Sequence, residues 1–157
     1  MLCMKLSVRG EYALRALVVL GETYQEGIVR IQTISERQGI PKRFLEQILN
    51  DLRSGGFVES RRGVAGGYRL ARPPQEITLA DLLHYVDDAL PPTPTLAGSV
   101  RTGVLHSDDA VANAIGELVG EVRKAMRAVL EELTLADLCE RARRHRNEAG
   151  AGVDYVI

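Results

Sequence analysis

Gly39-Ile40-Pro41 is the feature that most narrows what this chain can become, because it makes two helical stretches meet at a tight corner. Upstream, Ile31 and Ile34 fall on one side of a short helix whose polar side carries Glu36 and Arg37. Glycine stops that helix, and proline suits the first turn of the next, where its missing N–H would have had no partner anyway. The second stretch therefore opens at Pro41, with Phe44, Leu45, Ile48, Leu49 and Leu52 as its expected buried stripe. Two helices joined by a glycine-bearing turn make a helix-turn-helix.

Past Gly55-Gly56 the period changes. Residues 57–60 and 68–71 read as strands around Arg61-Arg62-Gly63-Val64-Ala65-Gly66-Gly67, a hairpin with a basic, glycine-rich tip. A first helix is expected over residues 7–24, and Thr78-Leu79-Ala80-Asp81 opens a fourth with a capping box that uses Asp where Glu is usual. The expected fold is mainly α with a small β-hairpin: a winged helix-turn-helix followed by a long dimerisation helix.

That last helix starts at Ser107 with Asp108 and Asp109, acids placed at the positive end of the macrodipole, and runs to about Glu132. Val111, Ile115, Leu118, Val122, Ala125 and Val129 recur along it at alternating spacings of 4 and 3. The stripe is wider than one small domain needs, and Gly116 and Gly120 leave room for a neighbouring backbone. Val111, Ile115, Leu118, Val122, Met126 and Val129 are therefore the expected contacts with a second copy, the alternative being a core helix folded back on its own chain. Thr134-Leu135-Ala136-Asp137 begins a final helix that ends in Arg141, Arg143, Arg144, His145 and Arg146. The expected division is thus a winged helix-turn-helix domain at 1–88, a loop at 89–106 rich in proline and glycine, dimerisation and C-terminal helices at 107–146, and a mobile tail at 147–157.

Charge separates the two ends. The net charge of −1 hides 12 Lys/Arg against 7 Asp/Glu in residues 1–72, and 8 against 14 in the remainder. A basic front half suggests a polyanion-binding surface. The 157 residues suffice for one core plus an oligomerisation element, and no apolar run approaches the roughly 18 residues of a membrane span. With no cleavage site at the N-terminus and two unpaired-looking cysteines, Cys3 and Cys139, the expected location is the reducing cytoplasm. Catalytic signatures such as GxSxG, HExxH and GK[ST] are missing, so an enzyme is not expected.

A helix of this kind fits the major groove of DNA, where every base pair shows a distinct pattern of donors and acceptors. With the apolar stripe buried, Lys42, Arg43, Glu46, Gln47 and Asn50 face outward; Arg43 can bracket guanine, Gln47 can pair with adenine and Glu46 can accept from cytosine. In the hairpin, Arg61 and Arg62 would meet the adjacent minor groove, and Gly66 and Gly67, beside Tyr68, let the backbone approach phosphates. A winged helix used only for protein-protein assembly is the competing reading, and a steep loss of DNA affinity with salt separates the two.

ISERQGIPKRFLEQIL, followed by LRSGGFVESRRGVAGGYRLARPPQEITLADL, resembles the signature of the Rrf-two family of bacterial winged-helix transcription regulators, as does the opening GEYALRAL. The resemblance covers almost the whole chain. It implies a two-fold symmetric homodimer on an inverted-repeat operator, base contacts from Arg43, Glu46 and Gln47, and a minor-groove arginine at Arg62.

Members that bind an iron–sulfur cluster carry three cysteines in the loop before the long helix, and residues 89–106 here contain none. His106 and His84 are read as surface or capping residues, Glu11 as an ordinary helix acid although some relatives have an acidic ligand there, and Cys139 as a core thiol. No cofactor is expected. The signal would come from an unidentified small molecule, a partner protein or thiol oxidation.

Overall fold

A computed structural model of the chain describes residues 6–87 and 109–151. Ser7 caps helix α1 (Val8–Glu22), its hydroxyl oxygen accepting the Gly10 N–H at 3.0 Å. Helix α2 (Ile31–Gln38) ends on Gly39 at φ +64°, a left-handed conformation that glycine adopts without a Cβ penalty. Ser35 reinforces the corner by donating its hydroxyl to the Ile40 carbonyl at 2.6 Å. Pro41 then caps helix α3 (Lys42–Ser54). The α1, α2 and α3 helices meet over Leu17, Leu20, Ile34, Ile40, Leu45, Leu49 and Leu52, all essentially removed from water.

Phe44 departs from the expected stripe: it is 53 % exposed. It sits on the flank of α3 beside Val8 and Tyr12 of α1, where the two helices leave a shallow apolar groove instead of closing over the ring.

Strands β1 (Val58–Arg61) and β2 (Gly67–Leu70) pair antiparallel, with Val58 opposite Leu70 and Arg61 opposite Gly67. A residue far upstream completes the wing. Val29 bridges to Tyr68, each N–H donating to the other's carbonyl at 2.8 Å, so β2 is hydrogen-bonded on both sides.

Helix α4 (Leu79–Asp87) returns across the base of α3, where the Tyr85 hydroxyl donates to the Asp51 carbonyl at 2.9 Å and its ring lies 5.4 Å from that of Phe57. Gly55 has no side chain because a Cβ there would stand 2.6 Å from the Tyr85 ring. Helix α5 (Asp109–Glu132) carries Val111, Ile115, Leu118 and Val129 more than half exposed, with Val122 at 37 %. Met126, expected in the same stripe, is half-buried on its flank.

Helix α6 (Leu135–Ala151) lies over α1, with Leu135 and Cys139 buried in the core and Arg146 paired with Glu22. It continues beyond Arg146, where a mobile tail was expected at 147–157. Glu148 stands 3.5 Å from His145 one turn back, and Ala149 and Ala151 favour helix. Cys3, His106, the loop at 89–106, Ser107, Asp108 and the chain past Ala151 lie outside the described residues.

Candidate nucleic-acid interface

Along α3, Lys42, Arg43, Glu46, Gln47 and Asn50 are all exposed, as the spacing predicts, opposite buried Leu45, Ile48, Leu49 and Leu52. Only side chains on that outer face can enter a groove. Asp51, at the rear of the face, is engaged by Arg9.

Arg61 ends β1 and Arg62 follows it into the turn, both exposed, ahead of Gly63 at φ +107°. The glycines after them have steric reasons of their own. A Cβ on Gly66 would lie 2.3 Å from the Arg61 carbonyl oxygen, and one on Gly67 would lie 2.3 Å from that of Val29. Tyr68 is half-buried, packs on the core and spends its backbone on Val29, which makes it part of the wing's frame.

A cleft runs between the wing and the helix-turn-helix, lined by Arg30, Gln32, Asn50, Arg53, Ser60, Arg61, Arg62 and the backbone of the tip. Among the described residues its wall includes no carboxylate, and these four arginines make no ion pair. Nearby Glu59 is taken by Arg69 across the hairpin at 2.8 Å. The cleft therefore presents concentrated positive charge beside the exposed face of α3. Gln47 lies on the other flank of α3, in the groove with Val8, Arg9, Tyr12, Phe44 and Ile48. Arg30 and Arg53 were not among the expected contacts. They are ordinary helix-terminal cations in one dimension, and only the fold brings them opposite Arg61 and Arg62.

Among the described residues the one cysteine, Cys139, is set as a core thiol. Cys139 is buried at 4 % exposure, and its thiol lies 3.7 Å from the Val18 carbonyl oxygen that accepts from it. Burial, helped by the Glu22 charge and partly opposed by Arg143 and Arg146, pushes the thiol from 9.0 up to about 11, so it stays protonated at neutral pH. Among the described residues no three His, Cys, Asp or Glu side chains are placed to hold a metal ion. Glu11 is paired with Arg15 at 2.6 Å.

An outward-facing helix set at a tight corner, with a hydrogen-bonded basic hairpin beside it, defines a winged helix-turn-helix protein of the DNA-binding kind. Residues 6–141 match the family described as "Rrf2: Iron-dependent Transcriptional regulator", and the chain belongs to the Rrf2 family of HTH-type transcriptional regulators. It is 39 % identical over 137 residues to an HTH-type regulator of Mycobacterium tuberculosis, covering 86 % of this chain and 81 % of the relative. To the HTH-type regulator CymR of Bacillus subtilis it is 31 % identical over 135 residues, covering 86 % and 89 %. The solved B. subtilis CymR structure superposes with a TM-score of 0.69, at 31 % identity over 87 % of this chain and 97 % of that one. T. potens IscR superposes with a TM-score of 0.65, at 34 % identity over 88 % of each chain. Among the described residues no helix is long and apolar enough to cross a membrane.

Proposed function

We propose that the chain acts in the cytoplasm as a homodimeric repressor that reads an inverted-repeat operator and needs no iron–sulfur cluster. The observation that carries this reading is the joint exposure of Lys42, Arg43, Glu46, Gln47 and Asn50 on α3 beside the arginine-lined cleft of the wing. Arg43, Glu46 and Gln47 select bases in the major groove, and Arg62 enters the neighbouring minor groove.

The dimer reading rests on α5. Val111, Ile115, Leu118, Val122 and Val129 remain exposed on a single chain, an apolar strip that a soluble monomer would not normally leave to water. Packing it against its two-fold mate, with Met126 on the flank, presents two reading helices to successive half-sites.

The cluster-free reading rests on the chain's two cysteines, one of them buried and protonated, and on the loop at 89–106 without a thiol. The signal is then a small molecule, a protein partner or thiol oxidation. Footprinting on genomic fragments tests the function: protection of two half-sites about one helical turn apart, or a multiple, is expected. Protection of one asymmetric half-site overturns the dimeric arrangement. Protein purified without oxygen should be colourless, and visible absorption with stoichiometric iron overturns the cluster-free reading.

A further inference from the structure

The cleft between wing and helix-turn-helix holds two arginines that the base-reading scheme leaves unused. Arg30, the cap residue of α2, donates from Nη2 to the Val64 carbonyl at the wing tip, at 3.4 Å. Arg53, in the last turn of α3, donates from Nη1 to the Ser60 hydroxyl on β1, at 3.0 Å. Each guanidinium thus spans from the helix-turn-helix to the wing and makes one hydrogen bond there. A guanidinium has five N–H donors in a planar fork that matches the oxygens of a phosphate, so most of each fork remains available.

Duplex geometry supplies the ligand. A helix in the major groove and a hairpin in the adjacent minor groove stand on either side of one sugar-phosphate strand, and that strand must cross the surface between them. Here that surface is the cleft, whose lining brings Arg30 and Arg53 together with Arg61, Arg62, Gln32 and Asn50.

The geometry points to this cleft as a phosphodiester grip, with Arg30 and Arg53 binding the strand that separates the two grooves. The inference rests on the DNA-binding reading above and adds to it a site that takes phosphate irrespective of base. The same two side chains brace the wing, so gripping the strand and holding the hairpin at its angle are one act.

Salt titration separates the roles. The probe is a random-sequence duplex of about 30 bp, roughly three helical turns. Log affinity against log salt should fall less steeply for Arg30→Ala and for Arg53→Ala, each by about 0.9 in slope for the phosphate contact removed. Between 50 and 200 mM salt the wild type should accordingly lose about 3.5-fold more affinity than either variant. Arg53→Lys should keep most of the slope, because an ammonium still neutralises a phosphate. Ser60→Ala, which removes the brace but no charge, should leave the slope unchanged. Slopes for Arg30→Ala and Arg53→Ala equal to that of the wild type would overturn the grip while leaving DNA binding intact. A Ser60→Ala slope as shallow as that of Arg53→Ala would reduce Arg53 to a brace. Wild-type protein with no affinity for the duplex at low salt would overturn the DNA-binding reading itself.

Discussion

Thr78 and Thr134 face each other across an antiparallel bridge that joins the start of α4 to the start of α6. On either side of it the Leu79 N–H donates to the Leu133 carbonyl and the Leu135 N–H to the Ile77 carbonyl, both at 2.8 Å. Thr134 is used twice. Its hydroxyl oxygen accepts the Asp137 N–H at 3.3 Å, while one Asp137 carboxylate oxygen accepts from both the Thr134 N–H and the Thr134 hydroxyl, each at 2.8 Å. The junction between α5 and α6 is thereby fastened to the DNA-binding part of the molecule.

That junction should be acid-sensitive. The Thr134 N–H, then the Thr134 hydroxyl, hold the Asp137 carboxyl below its ordinary 3.8. A carboxyl with a depressed folded value lends stability that is present above its unfolded value and disappears as pH falls through the folded one. Urea unfolding across the acid range should show a shallower decline for Asp137→Asn than for the wild type, starting from lower stability near neutrality. Parallel curves would show that the box is not formed in solution.

At the alkaline end Cys139 sets the opposite limit. With its thiol raised from 9.0 to about 11, the folded chain keeps a proton that the unfolded chain releases. The associated stability is complete below about pH 9 and is lost as pH climbs toward 11. Cys139→Ala should remove that part of the alkaline decline, and thiol reagents at neutral pH should label Cys139 only as fast as the chain opens. Rapid labelling of Cys139 in the folded protein, read in a Cys3→Ser background, would contradict the burial.

Within the wing, Gly67→Ala should be harmful even though alanine is small. The new Cβ would lie 2.3 Å from the Val29 carbonyl oxygen and force β2 away from its partner. Overpacking of this kind costs about 1–3 kcal/mol. Chemical denaturation should reveal it alongside weakened DNA affinity, whereas Gly63→Ala meets nothing within 4 Å and suffers only from φ +107°. Equal stability of Gly67→Ala and wild type would mean that the Val29 bridge is not made.

On α3, Arg43→Ala and Gln47→Ala should each cost about 1–3 kcal/mol on the preferred site and relax base preference there. Arg62→Ala should weaken binding with less change at the major-groove positions. Competition between matched and substituted duplexes measures this, and uniform losses for all three variants would refute the groove assignment.

Leu118→Glu and Val122→Glu place a carboxylate in the exposed strip of α5. Analytical ultracentrifugation should show a shift toward monomer with helical content retained, together with loss of two-half-site binding. Unchanged mass would move the dimer interface off this helix.

The corner and the exposed face of the candidate site are legible in the sequence because their determinants are local. Gly39 and Pro41 announce the corner by their own backbone preferences, and the outward residues of α3 follow from the spacing of Leu45, Ile48, Leu49 and Leu52. Phe44 departs from that spacing because the first turn of α1 leaves it in an open groove with Val8 and Tyr12, which no pattern within α3 encodes. The Val29 bridge has no local signal either: Val29, in the short stretch between Gly27 and Arg30, carries no periodicity, yet it finishes the wing. Arg30 and Arg53 belong to the interface only through contacts with Val64 and Ser60 across the fold.

Because β2 is clasped by β1 on one edge and by Val29 on the other, the hairpin of the proposed DNA-reading surface is ordered before any duplex arrives. Little of its conformational entropy is left to lose at the encounter, so a change in DNA sequence is met by bending of the duplex sooner than by flexing of the protein. Under the proposed function, affinity should then vary with the stiffness of a duplex beneath the hairpin as well as with the letters beneath the helix.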